Sequence, residues 1–156
     1  MENQEANVNQ AYSKMAQLCS RSEQCSADIR KKILAYEIVD EIVDEIIEKL
    51  IAEKYIDDKR YVRAYVNDKF KINKWGKIKM RYYLKMKGLS DETIDYGLEN
   101  IDEEKYKALL IKTMKSKAKT IKTKDKFQKM GQVIRYAQNR GFEPELIHRF
   151  MNEALE

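Results

Sequence analysis

Proline and glycine, the residues that most often interrupt helices, are scarce in this chain. Its 156 residues include one proline and five glycines, which favours long helices joined by short connections. The spacing of the glycines matches neither the Walker loop nor the Rossmann loop, which hold nucleotide phosphates through glycine-rich turns. We therefore expect that the protein binds no nucleotide and carries no cofactor.

Cysteine and histidine are also scarce. Cys19 and Cys25 are the two cysteines, and His148 is the one histidine. The spacing of the cysteines matches no common zinc or redox motif, and a four-ligand zinc site would have to recruit carboxylates as well. A cysteine or serine nucleophile would need His148 as its base, yet His148 lies near the end of a predicted helix. We expect free cysteines, no metal site and a protein that is not an enzyme.

Long apolar runs are missing as well. No apolar stretch approaches the roughly 18 residues of a membrane-spanning helix. The N-terminus has neither the basic region nor the apolar region of a signal peptide. We therefore expect a cytoplasmic protein with no membrane partner. Residues 1–8 are polar and lack apolar periodicity, so we predict a disordered N-terminus there.

The rest of the chain has apolar residues at helical spacing, most regularly between Val39 and Lys54. The pattern predicts nine helices and no strand. A basic helix, a turn and an amphipathic helix recur three times, and the turn positions Glu37, Gly88 and Gly141 lie 51 and 53 residues apart. Such a period predicts stacked units, here three-helix repeats over residues 9–56, 57–101 and 102–156. An array of this kind usually presents a binding surface, and seldom a pocket for chemistry.

Local signals predict where several of these helices begin and end. Ser26 is predicted to cap the second helix, and Asp57 or Asp58 the fourth, with Arg60 as a nearby salt partner. Paired acids can also act in acid–base chemistry or bind a metal, but neighbouring residues at a helix start rarely converge on one point. The Lys-rich stretch 115–124 is predicted to fray into a loop. Pro144 suits the first position of the last helix.

Charge is unevenly distributed along the chain, although the net charge is only +5. Residues 1–58 hold 7 basic and 13 acidic residues, and residues 90–104 hold 7 acidic residues and none that is basic. In contrast, residues 59–89 hold 11 basic residues and one acidic residue, and residues 105–129 hold 10 and one. Alternating blocks of this kind indicate a polyanionic partner or one with a patterned acidic surface, although helical surfaces also carry charge for solubility.

Two basic clusters are the candidate binding surfaces. The first mixes cations with Trp75, Tyr82 and Tyr83, a combination that suits phosphate neutralisation and stacking; alternatively, the tyrosines pack in the core, and we expect Tyr83 to face inward. Its cations are Lys69, Lys71, Lys74, Lys77, Lys79, Arg81, Lys85 and Lys87. The second cluster contains lysine alone and would contact a nucleic-acid backbone without sequence preference. Its members are Lys112, Lys115, Lys117, Lys119, Lys122, Lys124, Lys126 and Lys129.

One stretch carries a recognisable pattern, LIAEKYIDDKRYVRAYV at residues 50–66. It resembles the central signature of the RecX family, bacterial regulators of the RecA recombinase. The matching positions are Tyr55, Ile56, Asp57, Asp58, Arg60, Tyr61 and Ala64. The segments WGKIKMRYYLKMKGL at residues 75–89 and LCSRSEQCSADIRKKI at residues 18–33 are similar to the second and first repeats of the family. The resemblance covers roughly residues 12–155, with Glu37 standing where a glycine is usual.

The resemblance implies three tandem three-helix repeats in an elongated, curved array. It also implies binding along the groove of the RecA–DNA filament, with inhibition or tuning of strand exchange, ATP hydrolysis and coprotease activity in DNA repair, recombination and the SOS response. Contact with DNA itself would be weak and non-specific, and the protein is expected to be a monomer. The alternative is a helical DNA-binding module that acts alone.

Overall fold

The computed structural model describes residues 2–156, with side chains from Gln4 onward. Within this range the regular secondary structure is helical, and no strand is present. Nine α-helices are present there, with a short 3₁₀ turn at Leu34–Tyr36 between the second and third. They are α1 (Glu2–Arg21), α2 (Ser26–Ile33), α3 (Asp40–Ala52), α4 (Asp58–Lys71), α5 (Lys77–Met86), α6 (Asp91–Leu98), α7 (Glu103–Thr120), α8 (Lys126–Asn139) and α9 (Pro144–Leu155). The predicted all-α array of helical repeats is confirmed.

The turn after the second helix of each unit has the same backbone conformation. Glu37, Gly88 and Gly141 have φ values of 54°, 84° and 97°, all in the left-handed region. Glycine adopts this region without penalty, whereas Glu37 does so at a cost of roughly 1 kcal/mol. The following residue is buried in each unit, and the next one is the N-cap of the third helix. The periodicity in the sequence therefore corresponds to a repeated structural unit.

The second and third units are joined through backbone at this turn. The N–H of Gly76, which precedes α5, donates to the carbonyl of Arg140 at 2.7 Å, and the N–H of Ile78 donates to the carbonyl of Gly141 at 2.9 Å. A Cβ on Gly76 would lie 2.3 Å from the carbonyl carbon of Gly141. The turn of the third unit therefore satisfies amide donors at the start of α5 that would otherwise have no partner within the helix.

The first and second units meet at the corresponding place, but mostly through side chains. The N–H and the hydroxyl of Ser26 both donate to the carboxylate of Asp58, at 2.9 and 2.8 Å. The ammonium of Lys87, next to the Gly88 turn, donates to Asp28 at 2.9 Å. The prediction that Ser26 caps α2 is wrong: Cys25 is the N-cap, without a side-chain hydrogen bond, and Ser26 is the first helical residue. Its hydroxyl is directed to the next unit instead.

Residues 1–8 are predicted to be disordered, whereas α1 begins at Glu2 in the structure; for Met1 the prediction lies outside the described residues. The Gln4 and Asn7 side-chain amides donate to the carbonyls of Glu37 and Tyr36, at 3.2 and 3.3 Å. These carbonyls correspond to those of Gly141 and Arg140 at the other end of the array. The polar N-terminal segment therefore supplies donors to the turn of the first unit, as the start of α5 does to the turn of the third.

Apolar side chains form two separate cores. The first is built from α1, α2, α3 and the connections around them, and includes Ile29, Leu50 and Ile56. The second is shared by the second and third units, with Leu84 and Leu110 at 0% exposure. Cys19 belongs to the first core and Cys25 to the second; both are free and buried, and burial raises the pKa of each thiol.

Helix α7 is longer than the sequence predicted. The stretch expected to fray from Lys115 remains helical as far as Thr120. Leu110, Met114 and Ala118 follow one another at four-residue intervals and are all buried against the second core. This apolar stripe holds the last turns of the helix in place although the residues from Lys115 to Thr120 are otherwise polar.

Candidate interaction surface

Trp75 is the centre of a cation–aromatic surface at the end of α4 and the start of α5. Its ring stacks on Tyr83, with 5.2 Å between centroids. The ammonium groups of Lys69 and Lys79 lie 4.8 and 4.7 Å from the centroid of the Trp75 ring. We call Lys69, Trp75, Lys79, Tyr82 and Tyr83 the Trp75 surface. Cations held over an indole ring in this way are attracted by its electron-rich face and remain able to contact an anion.

The tyrosines of this surface are exposed. Tyr82 is 60% exposed and packs edge-on against Tyr83, with 5.3 Å between ring centroids. The expectation that Tyr83 faces inward is wrong, because it is 39% exposed and only the neighbouring Leu84 is buried. Ile78, Tyr82 and Met86 continue the exposed face of α5 at intervals of four residues. This helix therefore presents an aromatic and apolar stripe outward, besides the one that it buries.

Three cations of the first cluster pair with carboxylates instead of joining the Trp75 surface. Arg81 pairs with Asp95 and Lys85 with Asp91, both on α6. Lys87 pairs with Asp28; the hydrogen bond that Lys87 donates to Asp28 raises the pKa of Lys87, although burial acts against this. Burial alone would raise the pKa of Asp28, but hydrogen bonds from Lys87 and Cys25 and the charges of Lys87 and Lys31 lower it. These cations stabilise contacts between helices and are partly neutralised.

Lys77 also has a structural contact. Its N–H donates to the hydroxyl of Tyr106 at 2.9 Å, and its ammonium lies 4.8 Å from the centroid of the same ring. The Tyr106 hydroxyl in turn donates to Glu143. Burial, reinforced by this hydrogen bond, raises the pKa of Tyr106. The start of α5 is thus linked to α7 and to the N-cap of α9.

Lys74 is not part of the Trp75 surface but lies next to it, in a groove of about 170 Å³ formed with α7 and α8. We call this the Lys74 groove; it is lined by Lys74, Leu109, Lys112, Thr113, Ser116, Tyr136 and Arg140. The guanidinium of Arg140 donates to the Tyr136 hydroxyl at 2.9 Å and to the carbonyl of Asn73 at 3.2 Å. The groove brings a residue of each basic cluster together with Arg140.

Sequence reasoning missed Arg140 and Tyr136 because they lie outside both basic clusters. Position 140 directly precedes the turn glycine and so corresponds to Lys87 in the second unit. A comparison of equivalent positions would have identified it as a cation next to a joint between units. Tyr136 corresponds in the same way to Tyr83, four residues before Lys87.

The other predicted lysines are dispersed. Lys115 and Lys119 are exposed on α7, and Lys122 and Lys124 are exposed in the connection that follows it. Lys117 is half-buried, with its ammonium 5.0 Å from the centroid of the Tyr136 ring. Lys71 lines a larger cleft of about 790 Å³ between α4, α6 and the start of α7, whose walls also include Glu23 and Asp102. Mixed signs there weaken the field that an anion would meet.

The residues considered for catalysis are not brought together. His148 is exposed on α9, whereas Cys19 and Cys25 are buried in different cores. In the part of the chain that the structure describes, no three histidine, cysteine or acidic side chains group as metal ligands would. None of the helices described there combines the length and apolar character needed to cross a membrane.

The sequence of the chain is similar to those of known proteins. The family model for the second three-helix domain of RecX matches residues 57–98. The chain is 33% identical over 103 residues to the regulatory protein RecX of Clostridium botulinum (strain Eklund 17B / Type B), covering 65% of this chain and 48% of that protein. The regulatory protein RecX of Clostridium tetani (strain Massachusetts / E88) is 31% identical over 104 residues. These matches make the chain similar to RecX proteins, most specifically in its second three-helix unit.

Solved structures agree at the level of the fold. The crystal structure of RecX from Lactobacillus salivarius superposes with a TM-score of 0.89 at 19% identity, covering 96% of this chain and 97% of that one. Another crystal structure of a regulatory protein RecX gives 0.84 at 23% identity, covering 94% and 72%. The chain spans about half the length of the curated RecX relatives that it matches.

The RecX signature of residues 55–64 joins the first and second units. Asp57 caps α4 by accepting the N–H of Arg60, as predicted, while Asp58 binds Ser26. Arg60 is not a salt partner of either acid: its guanidinium pairs with Glu23 and also donates to the carbonyls of Lys54 and Tyr55. This arrangement orients α4 on the first unit, which explains why these polar residues cluster in one short segment.

The aromatic and small residues of the same segment serve packing. Tyr55 lies edge-on to Tyr12 of α1, and Tyr61 stacks on Tyr65 with Lys87 6.0 Å from its ring centroid. Ala64 is half-buried at the wall of the larger cleft. The RecX signature therefore marks the joint between the first two units, and the exposed cations and aromatics lie C-terminal to it.

Proposed function

We propose that this protein binds the filament that RecA forms on DNA and restrains it, mainly inhibiting its recombinase, ATPase and coprotease activities. Three observations support the proposal. The chain is similar to proteins named regulatory protein RecX, its fold is an array of repeats suited to extended contacts, and charge is segregated along it. The Trp75 surface, within the region that matches the family model, carries the proposal.

An array of three units can contact neighbouring protomers of a filament at once. Linked contacts act at high effective concentration, so several weak contacts together give firm binding. A bound array that spans protomers would oppose the relative movement of those protomers during ATP turnover. Inhibition then needs no chemistry from the array itself, which is consistent with a non-enzymatic regulator.

The test is RecA ATPase activity on single-stranded DNA, titrated with this protein and with the double variant Lys69→Glu/Lys79→Glu. We expect the wild type to inhibit and the variant to need at least about fivefold more protein, since two favourable charges become repulsive at about 1 kcal/mol or more in total. Lys77 and Arg81 are left unchanged because they hold α5 to its neighbours.

The matched control is Lys14→Glu/Lys32→Glu, which makes the same charge change at two exposed positions of the first unit. Helical content, measured by circular dichroism, should be the same in all three proteins. Unchanged hydrolysis at several-fold excess of wild-type protein over filament sites would reject the proposal. Equal effects of the two double variants would exclude the Trp75 surface as the contact.

A second candidate function is a DNA-binding module that acts without a recombinase. The exposed Tyr82 beside Trp75 and two cations favours it, because aromatic rings among cations suit stacking on single-stranded bases. The discriminating measurement is binding to bare DNA: an affinity as high as that for the filament would favour the module over the filament regulator.

A further inference from the structure

The Lys74 groove differs from the rest of the basic surface in having cations from two units that face one concavity. Lys74 comes from the connection between α4 and α5, Lys112 from α7, and Arg140 from the end of α8. No carboxylate is among the groove residues, and among the described ion pairs none involves these three cations. The groove thus has a field of a single sign, unlike the larger cleft.

Arg140 is held in place before any ligand arrives. Its guanidinium donates to a backbone carbonyl and to the Tyr136 hydroxyl, and its carbon lies 5.2 Å from the centroid of the Tyr136 ring. Lys117 lies against the same ring at 5.0 Å. A guanidinium has five N–H donors in a fixed fork, so two contacts fix its orientation and leave others for an anion. Little side-chain entropy is then lost on binding.

The backbone of Lys74 is also unusual. Its φ is 61°, in the left-handed region, although it is not glycine. Such a conformation costs of the order of 1 kcal/mol and persists only where neighbouring contacts enforce it. Here the adjacent Asn73 carbonyl accepts from Arg140, and Trp75 is fixed between Tyr83 and two lysines. The strained turn directs Lys74 toward α7 and α8.

The groove adjoins the Trp75 surface. The ammonium of Lys79 lies 4.7 Å from the centroid of the Trp75 ring and donates to the carbonyl of Asn139, which directly precedes Arg140. A ligand along this path would meet aromatic rings with cations and then a recess lined by cations and hydroxyls. Sites for single-stranded nucleic acids combine these two features, since bases stack on aromatic rings and cations bind the phosphates.

We propose that the Lys74 groove binds the phosphodiester backbone of a single DNA strand whose bases approach the Trp75 surface. Lys74, Lys112 and Arg140 supply the positive charge, and the hydroxyl of Ser116 supplies a further donor. The inference deepens the proposed function by naming a contact to the DNA of the filament. A carboxylate-rich protein segment is the competing ligand, and the experiment separates the two.

The experiment measures fluorescence anisotropy of a labelled oligothymidylate, without recombinase, at a series of salt concentrations. Each phosphate contact to a single strand contributes about 0.7 to the slope of log affinity against log salt. The double variant Lys74→Gln/Lys112→Gln should therefore lower the slope by about 1.4 and weaken binding about tenfold at low salt. Both side chains are exposed, and circular dichroism checks that the fold is retained.

The matched control is Lys14→Gln/Lys32→Gln, which removes the same charge from the first unit and should leave the slope within about 0.3 of the wild type. The proposal is overturned if both double variants change the slope equally, or if the wild-type protein does not bind the oligonucleotide. The same double variant is also tested against oligoglutamate of matched charge. The proposal is overturned if Lys74→Gln/Lys112→Gln weakens the binding of oligoglutamate as much as it weakens the binding of the DNA. Because no recombinase is present, none of these results depends on whether the filament is inhibited.

Discussion

Gly76 and Gly131 are both helix-associated glycines, but their surroundings differ completely. A Cβ on Gly76 would lie 2.3 to 2.4 Å from three backbone atoms of Gly141 and Phe142. A Cβ on Gly131, inside α8, would meet nothing within 4 Å. The same substitution at the two positions therefore distinguishes the effect of crowding at the joint between units from the effect of helix propensity.

We predict that Gly76→Ala lowers the free energy of unfolding by about 1–3 kcal/mol, the usual cost of overpacking. The backbone around the Gly141 turn has to move to accept the methyl group. Gly131→Ala should raise the free energy of unfolding by about 0.5–1 kcal/mol, since alanine favours helix over glycine. Urea unfolding followed by circular dichroism measures both, and equal values would contradict the assigned joint.

At this scale the sequence predicts most local contacts correctly, with the Ser26 cap as the exception, and predicts distant contacts poorly. Asp57 and Ser90 cap their own helices as their types and positions indicate. The pairing of Arg60 with Glu23, 37 residues away, could not be anticipated, and the nearer Asp57 and Asp58 were wrongly preferred. A cap is decided within four residues, whereas an ion pair depends on how whole helices are placed.

At the scale of elements, the structure differs from the sequence prediction at two helix ends, and the two differences have a common cause. The polar start of α1 and the Lys-rich end of α7 both lack strong helical signals in their own composition. α1 is held by hydrogen bonds to the first turn, and α7 by buried Met114 and Ala118. Tertiary contacts therefore override weak local propensity in both cases.

The contact of α1 with the first turn is testable. Gln4→Ala/Asn7→Ala removes two amide donors, so we predict faster hydrogen exchange of the amides between Gln4 and Ala11. The loss in stability should be no more than about 1–2 kcal/mol, because each hydrogen bond contributes about 1 kcal/mol or less at an accessible site. Gln10→Ala, exposed on the same helix, is the control. Exchange that is equally fast in both variants would argue against a specific contact with the turn.

At the scale of the whole molecule, the division into two cores determines how the protein unfolds. Repeat arrays behave as linked units whose stability is set by neighbouring interfaces. The single Trp75 packs against the second core, so its fluorescence reports the second and third units. Circular dichroism reports all the helices, including those around the first core. The two probes therefore observe different parts of one chain.

We predict that Leu50→Ala, in the first core, weakens the first unit by about 2–5 kcal/mol. The unfolding transition followed by circular dichroism should broaden toward lower denaturant concentration. The midpoint of the transition followed by tryptophan fluorescence should change little. Leu110→Ala, equally buried in the second core, should shift the tryptophan midpoint. If Leu50→Ala shifted both probes by the same amount, the two cores would be one cooperative unit.

The fold of the whole molecule was more predictable than its candidate site. Glu37, Gly88 and Gly141 reveal the repeat because the same turn recurs at a near-constant interval. The cations could be listed from the sequence, but Arg81 and Lys85 turn out to be paired with acids, while Arg140 joins Lys74 across a joint. Composition shows how many charges are present, and only the packing of helices shows which of them remain available.

The early start of α8 changes the position that corresponds to the joint at Gly76. In register with the turn glycines, Lys129 corresponds to Gly76, yet α8 starts one turn earlier, at Lys126. The N–H of Lys129 is thereby used within the helix, donating to the carbonyl of Asp125 at 3.0 Å. The backbone contact by which the third unit is joined to α5 is therefore not available in the same form at Lys129. To add a unit at this joint by design, the extra turn of α8 would have to be removed and glycine placed at position 129.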